Sequence, residues 1–316
     1  LIKMKLKKPS FWDAKKPNFT SYFLLLFTLP LIINNFFLGL KSNKKKNSTI
    51  KTICIGNIYI GGTAKTPLTI KINQILNKLN YKTATIKKFY NNQIDEQKLL
   101  ANKTNLFCYH KRETSLNKAM ESGADFAIFD DGLQDRNINY DLSFVCFNSI
   151  NLIGNGFLIP AGPLREKIKS ISKYDAVFLN GNEEDVSDFK ILIKKYNSNI
   201  KIFETYYVLT NSEKFNKNDK YIIFSGIGNP ASFKKTLIKN KFNIIKEIIF
   251  PDHYDYKKKD IQKIKLLANN LDAKILTTEK DFVKLNSNDT EGIEFLTIDL
   301  IIKQEDQLIN FLKLNI

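Results

Sequence analysis

The chain is predicted to be an α/β protein: a parallel sheet with helices on both faces, a smaller C-terminal α/β lobe, and a membrane-associated N-terminal helix. Three observations lead there. From Ser48 to about Phe147, β-branched runs alternate with segments of helical apolar spacing, the signature of βαβ units. The same alternation returns at smaller scale in the second half. Ahead of both, an apolar stretch from Phe19 to Leu40 lies between two lysine-rich flanks.

The first strand, Ile53 to Gly56, leads through Asn57 and Tyr59 to Gly61-Gly62-Thr63-Ala64-Lys65-Thr66-Pro67. The paired glycines turn the chain and deliver Lys65 and Thr66 to the start of a helix. Pro67 fits its first turn, where a missing N–H costs nothing. This is the layout of a phosphate-binding loop. The N–H groups of Gly61, Gly62, Thr63 and Ala64 face the phosphates, Lys65 reaches the terminal ones, and Thr66 ligates Mg²⁺. Tyr59 and Ala64 stand where G-x-x-x-x-G-K-[ST] has glycine. Ala64 keeps its N–H and can serve unless the site needs positive φ. By spacing alone, the stretch fits a helix N-cap after a glycine turn equally well.

Further along, Leu68–Leu79 has helical apolar spacing and Thr83–Ile86 reads as the second strand. A helix runs through Leu99 and Leu100, another covers Leu116–Ser122, and Phe126–Phe129 is a fully apolar strand. Ligands of such sheets gather at the carboxyl ends of the strands. Asp130-Asp131-Gly132-Leu133-Gln134 sits at one of those ends, where acidic residues hold Mg²⁺ against a transferring phosphoryl group. The plain alternative is a solvated Asp-Gly turn. Together with the Lys-Thr loop, the pair makes the first lobe P-loop NTPase-like. In the second half, Ala176–Leu179, Lys201–Leu209, Tyr221–Phe224 and Ile275–Thr278 read as strands. Val186–Tyr196, Ala231–Lys241 and Gln304–Leu314 read as helices, with Asn229 as a cap and Pro230 at a first helical position.

Composition narrows the partners. The 316 residues are 43% apolar, which is globular, and carry a net charge of +17. That excess is almost wholly lysine, since only Arg112, Arg136 and Arg165 are arginine. A nucleic-acid surface would recruit arginine and interleaved aromatics, so anionic lipid headgroups are the better match. Cys54, Cys108 and Cys146 lack metal spacing and suit a reducing compartment. The N-terminal apolar segment has no signal-peptide cleavage site. Pro30, Asn34-Asn35 and two positive flanks argue against a clean span. A helix or broken helical pair lying in the cytoplasmic leaflet interface is expected, with Trp12 at headgroup depth; the alternative is a core helix. The chain opens on Leu1, which points to a truncated or misassigned start.

Six motifs in order carry a family resemblance. They are Gly56-Asn57 with Gly61–Pro67, Asp130–Gln134, Pro160-Ala161-Gly162-Pro163-Leu164-Arg165-Glu166, Gly226–Pro230 with Phe233, Asp252-His253, and Thr278-Glu279-Lys280-Asp281. The chain resembles the tetraacyldisaccharide 4′-kinase family from its N-terminus to about Lys284. The resemblance implies ATP and Mg²⁺ as cofactors and transfer of the γ-phosphate to the 4′-hydroxyl of an acylated glucosamine disaccharide 1-phosphate, giving lipid IVA. It implies work at the cytoplasmic face of the bacterial inner membrane. Residue by residue, Lys65 and Thr66 match the nucleotide positions, while Asp130 and Asp131 match the Mg²⁺ positions. Asp95 matches the base, although both residues flanking Asp95-Glu96 depart from Gly-Asp-Glu-Pro. His253 pairs with Asp95. The Ser-Arg-Gly-Tyr pattern before it survives only as Tyr90, and Asp135 replaces a histidine. Arg165, behind its stiff Pro-rich turn, is expected over a phosphate, with Glu166 and Gln134 toward the substrate. The division expected is 1–47 for the membrane segment, 48–208 for the kinase lobe, 209–294 for the smaller lobe and 295–316 for the return. Two alternatives stay open. One is a P-loop GTPase or metallochaperone-type NTPase, which lacks a base-specific Asn/Thr-Lys-x-Asp element here. The other is a basic membrane or nucleic-acid binding protein with a decayed loop. The oligomeric state is not legible.

Overall fold

The computed structural model describes residues 8–30, 32–33, 50–91, 93–135, 137–181 and 184–315. They fall into two compact units. The larger takes in Leu6–Phe89, Lys103–Tyr206 and Ile301–Ile316, and the smaller takes in Tyr90–Asn102 and Tyr207–Leu300. Residues 90–102, drawn within 48–208 from the sequence, group with the smaller unit.

The strands of the first half are β1 (Lys51–Gly56), β2 (Thr83–Lys88), β3 (Leu106–Tyr109), β4 (Phe126–Asp130), β5 (Leu142–Asn148), β6 (Ala176–Asn180) and β7 (Lys201–Leu209). Those of the second are β8 (Lys220–Ser225), β9 (Asn243–Ile249), β10 (Lys274–Thr278), β11 (Ile293–Leu296) and β12 (Ile298–Ile302). The large sheet has the order β12-β7-β6-β5-β1-β4-β2-β3, and its pairings from β3 to β7 are parallel. Strands buried on both faces need continuous apolar runs rather than alternation. β4 and β6 show this, with every residue buried. On the sheet, Cys54, Ala127 and Phe129 pack with Leu116 and Ala119, while Val145, Phe147, Val177 and Leu179 pack with Phe189 and Ile193. Each buried Val, Leu, Ile or Phe among them contributes about 1.5–3 kcal/mol. The 14-residue helix Lys65–Lys78 lies on β1, β2 and β4, so its N-terminus opens at their carboxyl ends.

The smaller sheet, β11-β10-β8-β9, is parallel throughout. Along β8, Ile222 and Phe224 meet Ile261, Ile264 and Ala268 of the helix Lys258–Leu271. Tyr221 and Ile223 meet Phe233 and Leu237 of the helix Pro230–Lys239. Both faces are therefore covered, as the sequence predicts for a parallel lobe. That second helix starts as expected: Asn229 accepts from the Ser232 N–H, and Pro230 is its first residue. β3, β9 and the helix Lys258–Leu271 are not among the elements the sequence predicts. β3 is four residues at a sheet edge, and β9 is interrupted by Lys246-Glu247.

The N-terminal segment forms a short turn at Ser10–Trp12, a helix Phe19–Leu24 capped by Asn18, and a tighter turn Leu25–Thr28. No described helix is long and apolar enough to cross a membrane. Trp12, expected at headgroup depth, is tied to the turn that precedes Arg165. Its indole N–H donates to the Pro160 carbonyl at 3.0 Å, and its own carbonyl accepts from the Asn155 N–H at 3.0 Å. The segment is not the alternative core helix, because Phe19, Tyr22, Phe23, Leu26, Phe27 and Leu29 are all exposed. The Asn34-Asn35 break, Leu40 and the second basic cluster up to residue 49 lie outside the described residues.

Candidate functional site

In the larger unit, the site begins where β1 ends. Asn57 is fully buried and donates through Nδ2 to Thr63 Oγ1 (3.0 Å) and to the Gly61 carbonyl (3.4 Å), which draws the loop into a ring. Its Oδ1 is buried with no hydrogen-bond partner. Ala64 sits in the left-handed region at φ 68°, immediately before the helix. The position therefore does need positive φ, and alanine bears the strain where the pattern has glycine. The other departure has a different cause. Tyr59 is buried, its hydroxyl donates to Asp13 and accepts from Lys8, and both partners come from the N-terminal segment.

Asp130 and Asp131 close the far side and are not equivalent. Asp130, the last residue of β4, is fully buried. It accepts from Thr66 Oγ1 (3.1 Å) and Thr69 Oγ1 (3.3 Å), and from Lys87 Nζ at 2.7 Å. Asp131 adopts φ 59° and keeps a fifth of its side chain exposed, with its Oδ1 3.6 Å from Lys65 Nζ and 3.4 Å from Arg165. Arg112 donates to the Asp131 carbonyl at 2.6 Å and pairs with Asp135 at 3.1 Å, which gives Asp135 a supporting place. Gln134 is a hub: its Nε2 donates to the Asn57 carbonyl (3.0 Å) and to Glu166 (2.9 Å), while its Oε1 accepts from Arg165 (3.2 Å). Glu166 also accepts from Tyr174 at 3.2 Å. Arg165 is aimed by the turn before it. A Cβ on Gly162 would come within 2.1 Å of Asn155 Oδ1, so only glycine passes there. Hard oxygen donors at Thr66, Asp130 and Asp131 suit Mg²⁺, and a long helix N-terminus beside a lysine suits phosphate.

The smaller unit carries the second group. Asp95 lies in the first turn of the helix Ile94–Lys103, where the positive end of the helix favours a carboxylate. It is almost fully buried, and the Glu96 N–H donates to it at 2.9 Å. His253, at φ 55°, sets its Nδ1 at 2.9 and 3.0 Å from the two Asp95 oxygens. An ionised carboxylate only accepts, so Nδ1 carries the proton. His253 Nε2 faces Glu96 (3.7 Å) and Asp252 (3.8 Å). Burial pushes the Asp95 carboxyl up, but the His253 hydrogen bond and the charges of Lys280, His253 and Lys284 outweigh it and hold it below its ordinary value.

Several members of these groups do not stand out in the sequence. Lys87, just past the predicted second strand, is 2% exposed. Lys280 and Lys284 reach Asp95 at 3.6 and 3.9 Å. Lys280 lies two residues past the end of β10, but nothing local names its partners.

Comparison with known proteins agrees along the whole chain. The family model tetraacyldisaccharide-1-P 4′-kinase matches residues 21–96 and 94–316. The tetraacyldisaccharide 4′-kinase of Pelagibacter ubique (strain HTCC1062) is 50% identical over 314 residues, covering 99% of both chains. That of Rickettsia bellii (strain OSU 85-389) is 33% identical over 325 residues, covering 96% of this chain and 97% of the relative. The crystal structure of the "apo" form of LpxK from Aquifex aeolicus, in complex with ATP, shares the fold at a TM-score of 0.69 and 22% identity, covering 93% of this chain and 99% of that one. The chain belongs to the tetraacyldisaccharide-1-P 4′-kinase family.

Proposed function

We propose that this chain transfers the γ-phosphoryl group of ATP to the 4′-hydroxyl of a tetraacylated glucosamine disaccharide 1-phosphate, giving lipid IVA. The full-length relation to the Pelagibacter 4′-kinase carries the reading of the activity. The pairing of Asp95 with His253, 158 residues apart, is what best supports the reading of the site.

In this account the acceptor oxygen attacks the γ-phosphorus, the bond to the bridging oxygen of ADP breaks, and the hydroxyl proton passes to Asp95. A carboxylate held below its ordinary pKa is a weak base. The loose transition state of phosphoryl transfer asks for positioning more than deep deprotonation, so a late proton acceptor suffices. His253 fixes the carboxylate's orientation through Nδ1–H. The N–H groups of Gly61, Gly62, Thr63 and Ala64 cradle the phosphates, with Lys65 on the terminal ones. Arg165, oriented by Gln134, neutralises charge, and Glu166 with Gln134 faces the substrate. Thr66, Asp130 and Asp131 would hold Mg²⁺, which supplies charge neutralisation on the phosphates when bound. The more open Asp131 is the better candidate for direct ligation, since Asp130 is already engaged by Thr66, Thr69 and Lys87.

The exposed apolar side chains of residues 19–29, beside basic flanks, support a reading in which the acylated substrate is met at a membrane surface, and the cytoplasmic face of the inner membrane is where ATP is available. Full-length protein, γ-³²P-ATP and the acylated disaccharide 1-phosphate in anionic vesicles test the assignment. Labelled product phosphorylated at the 4′ position is expected; label released only as free phosphate would instead indicate a plain NTPase.

A further inference from the structure

We propose that Lys280 is a positioning residue for the Asp95–His253 pair: its ammonium is the shared counter-charge that lets three crowded carboxylates stand around one imidazole. Its Nζ lies 3.1 Å from Glu96, 3.6 Å from Asp95 and 3.6 Å from Asp252. Those same three acids face the two nitrogens of His253. The other lysine nearby is committed elsewhere. Lys284 pairs at 2.5 Å with fully buried Asp281, donates to the Gly226 carbonyl at 3.3 Å, and sits over the Tyr256 ring. Asp281 in turn accepts from Tyr256, Thr278 and the Gly226 N–H. Lys284 thus balances Asp281, and Lys280 balances the acids around His253.

The consequence concerns where the protons sit. Without Lys280, three carboxylates would share one imidazole as their nearest cation. His253 would hold a second proton to higher pH, and Asp95 would be locked in an ion pair with an imidazolium. With Lys280 in place, the charge of the three carboxylates is met by an ammonium as well as by the imidazole, and Asp95 stays available to the substrate hydroxyl. This rests on the reading of Asp95 as proton acceptor, so its test needs a readout that does not depend on turnover.

The chain has only two histidines, His110 and His253, so NMR of imidazole-labelled protein follows both directly. In Lys280→Met the His253 titration midpoint is expected to rise by at least one pH unit while that of His110 stays put. The acid limb of kcat/KM should move up with it, kcat should fall at least tenfold at neutral pH, and the KM for ATP should hold. Lys280→Arg should restore the midpoint. Should Met prevent folding, Lys280→Gln carries the same expectation. An unmoved His253 midpoint in a folded, charge-deleted variant overturns the proposal. A shifted midpoint with an unchanged pH–rate profile leaves the charge balance standing and removes Asp95 from the mechanism.

Discussion

A lysine that is 2% exposed next to a fully buried aspartate makes a sharp prediction at the scale of single residues. Replacing buried pairs is often harmless, but removing one partner leaves an uncompensated charge and costs about 3–5 kcal/mol. Lys87→Met should therefore lower stability by about 3 kcal/mol or more, read as a fall in the urea midpoint. Ala64 invites the opposite change. Its left-handed backbone costs about 1–2 kcal/mol, part of which glycine gives back through greater unfolded-state freedom. Ala64→Gly should gain about 1 kcal/mol, raising Tm by about 2–4 °C in a scanning experiment. Asp95 adds a pH dependence. Its folded pKa is depressed, so its stabilising contribution is complete above about pH 4 and is lost as pH falls through the folded value. The urea-midpoint gap between wild type and Asp95→Asn should shrink below about pH 4.

Elements separate what local pattern encodes from what only packing decides. The strand, glycine turn and helix of the phosphate loop are legible from Ile53 to Pro67 because β-branching, turn chemistry and helix capping agree there. Asp130-Asp131 is legible because strand ends collect ligands. Lys87 is not, since a paired lysine reads as solvated whichever face it takes. Lys280 is not, since its partners are more than 150 residues away in the case of Asp95 and Glu96. Trp12 shows the same limit: nothing local foretells that Pro160, 148 residues on, supplies a carbonyl for its N–H. The face beyond it bears the test. Phe23 and Leu26 are 60% and 71% exposed. Changing both to Asp should leave Tm within about 1 °C, as surface substitutions do. It should also cut sedimentation with anionic vesicles at least tenfold, and undiminished co-sedimentation would remove this segment from membrane binding.

Across the whole molecule, two sheets, the larger mostly and the smaller wholly parallel, are each accompanied by a cluster of charged groups, built from Lys65, Asp130, Asp131 and Arg165 in the larger unit and from Asp95, His253 and Lys280 in the smaller. The segment 90–102 that bears Asp95 follows β2 in sequence, yet it groups with residues 207–300. Local periodicity carries no record of that long-range choice, and for this reason a division at residue 208 was the natural one. On the proposed reading the two clusters have different duties, nucleotide binding and proton acceptance, so their loss should look different. Lys65→Ala should weaken ATP binding as well as turnover, while Asp95→Asn should spare ATP binding. The most direct measurement is transfer of γ-³²P from ATP to the tetraacylated disaccharide 1-phosphate, with the product mapped to the 4′ position and ATP affinity measured in parallel. Wild type should form the 4′-phosphate, and Asp95→Asn should form it about 10²-fold or more slowly at unchanged ATP affinity. No product from wild type, or full turnover in Asp95→Asn, would contradict the account.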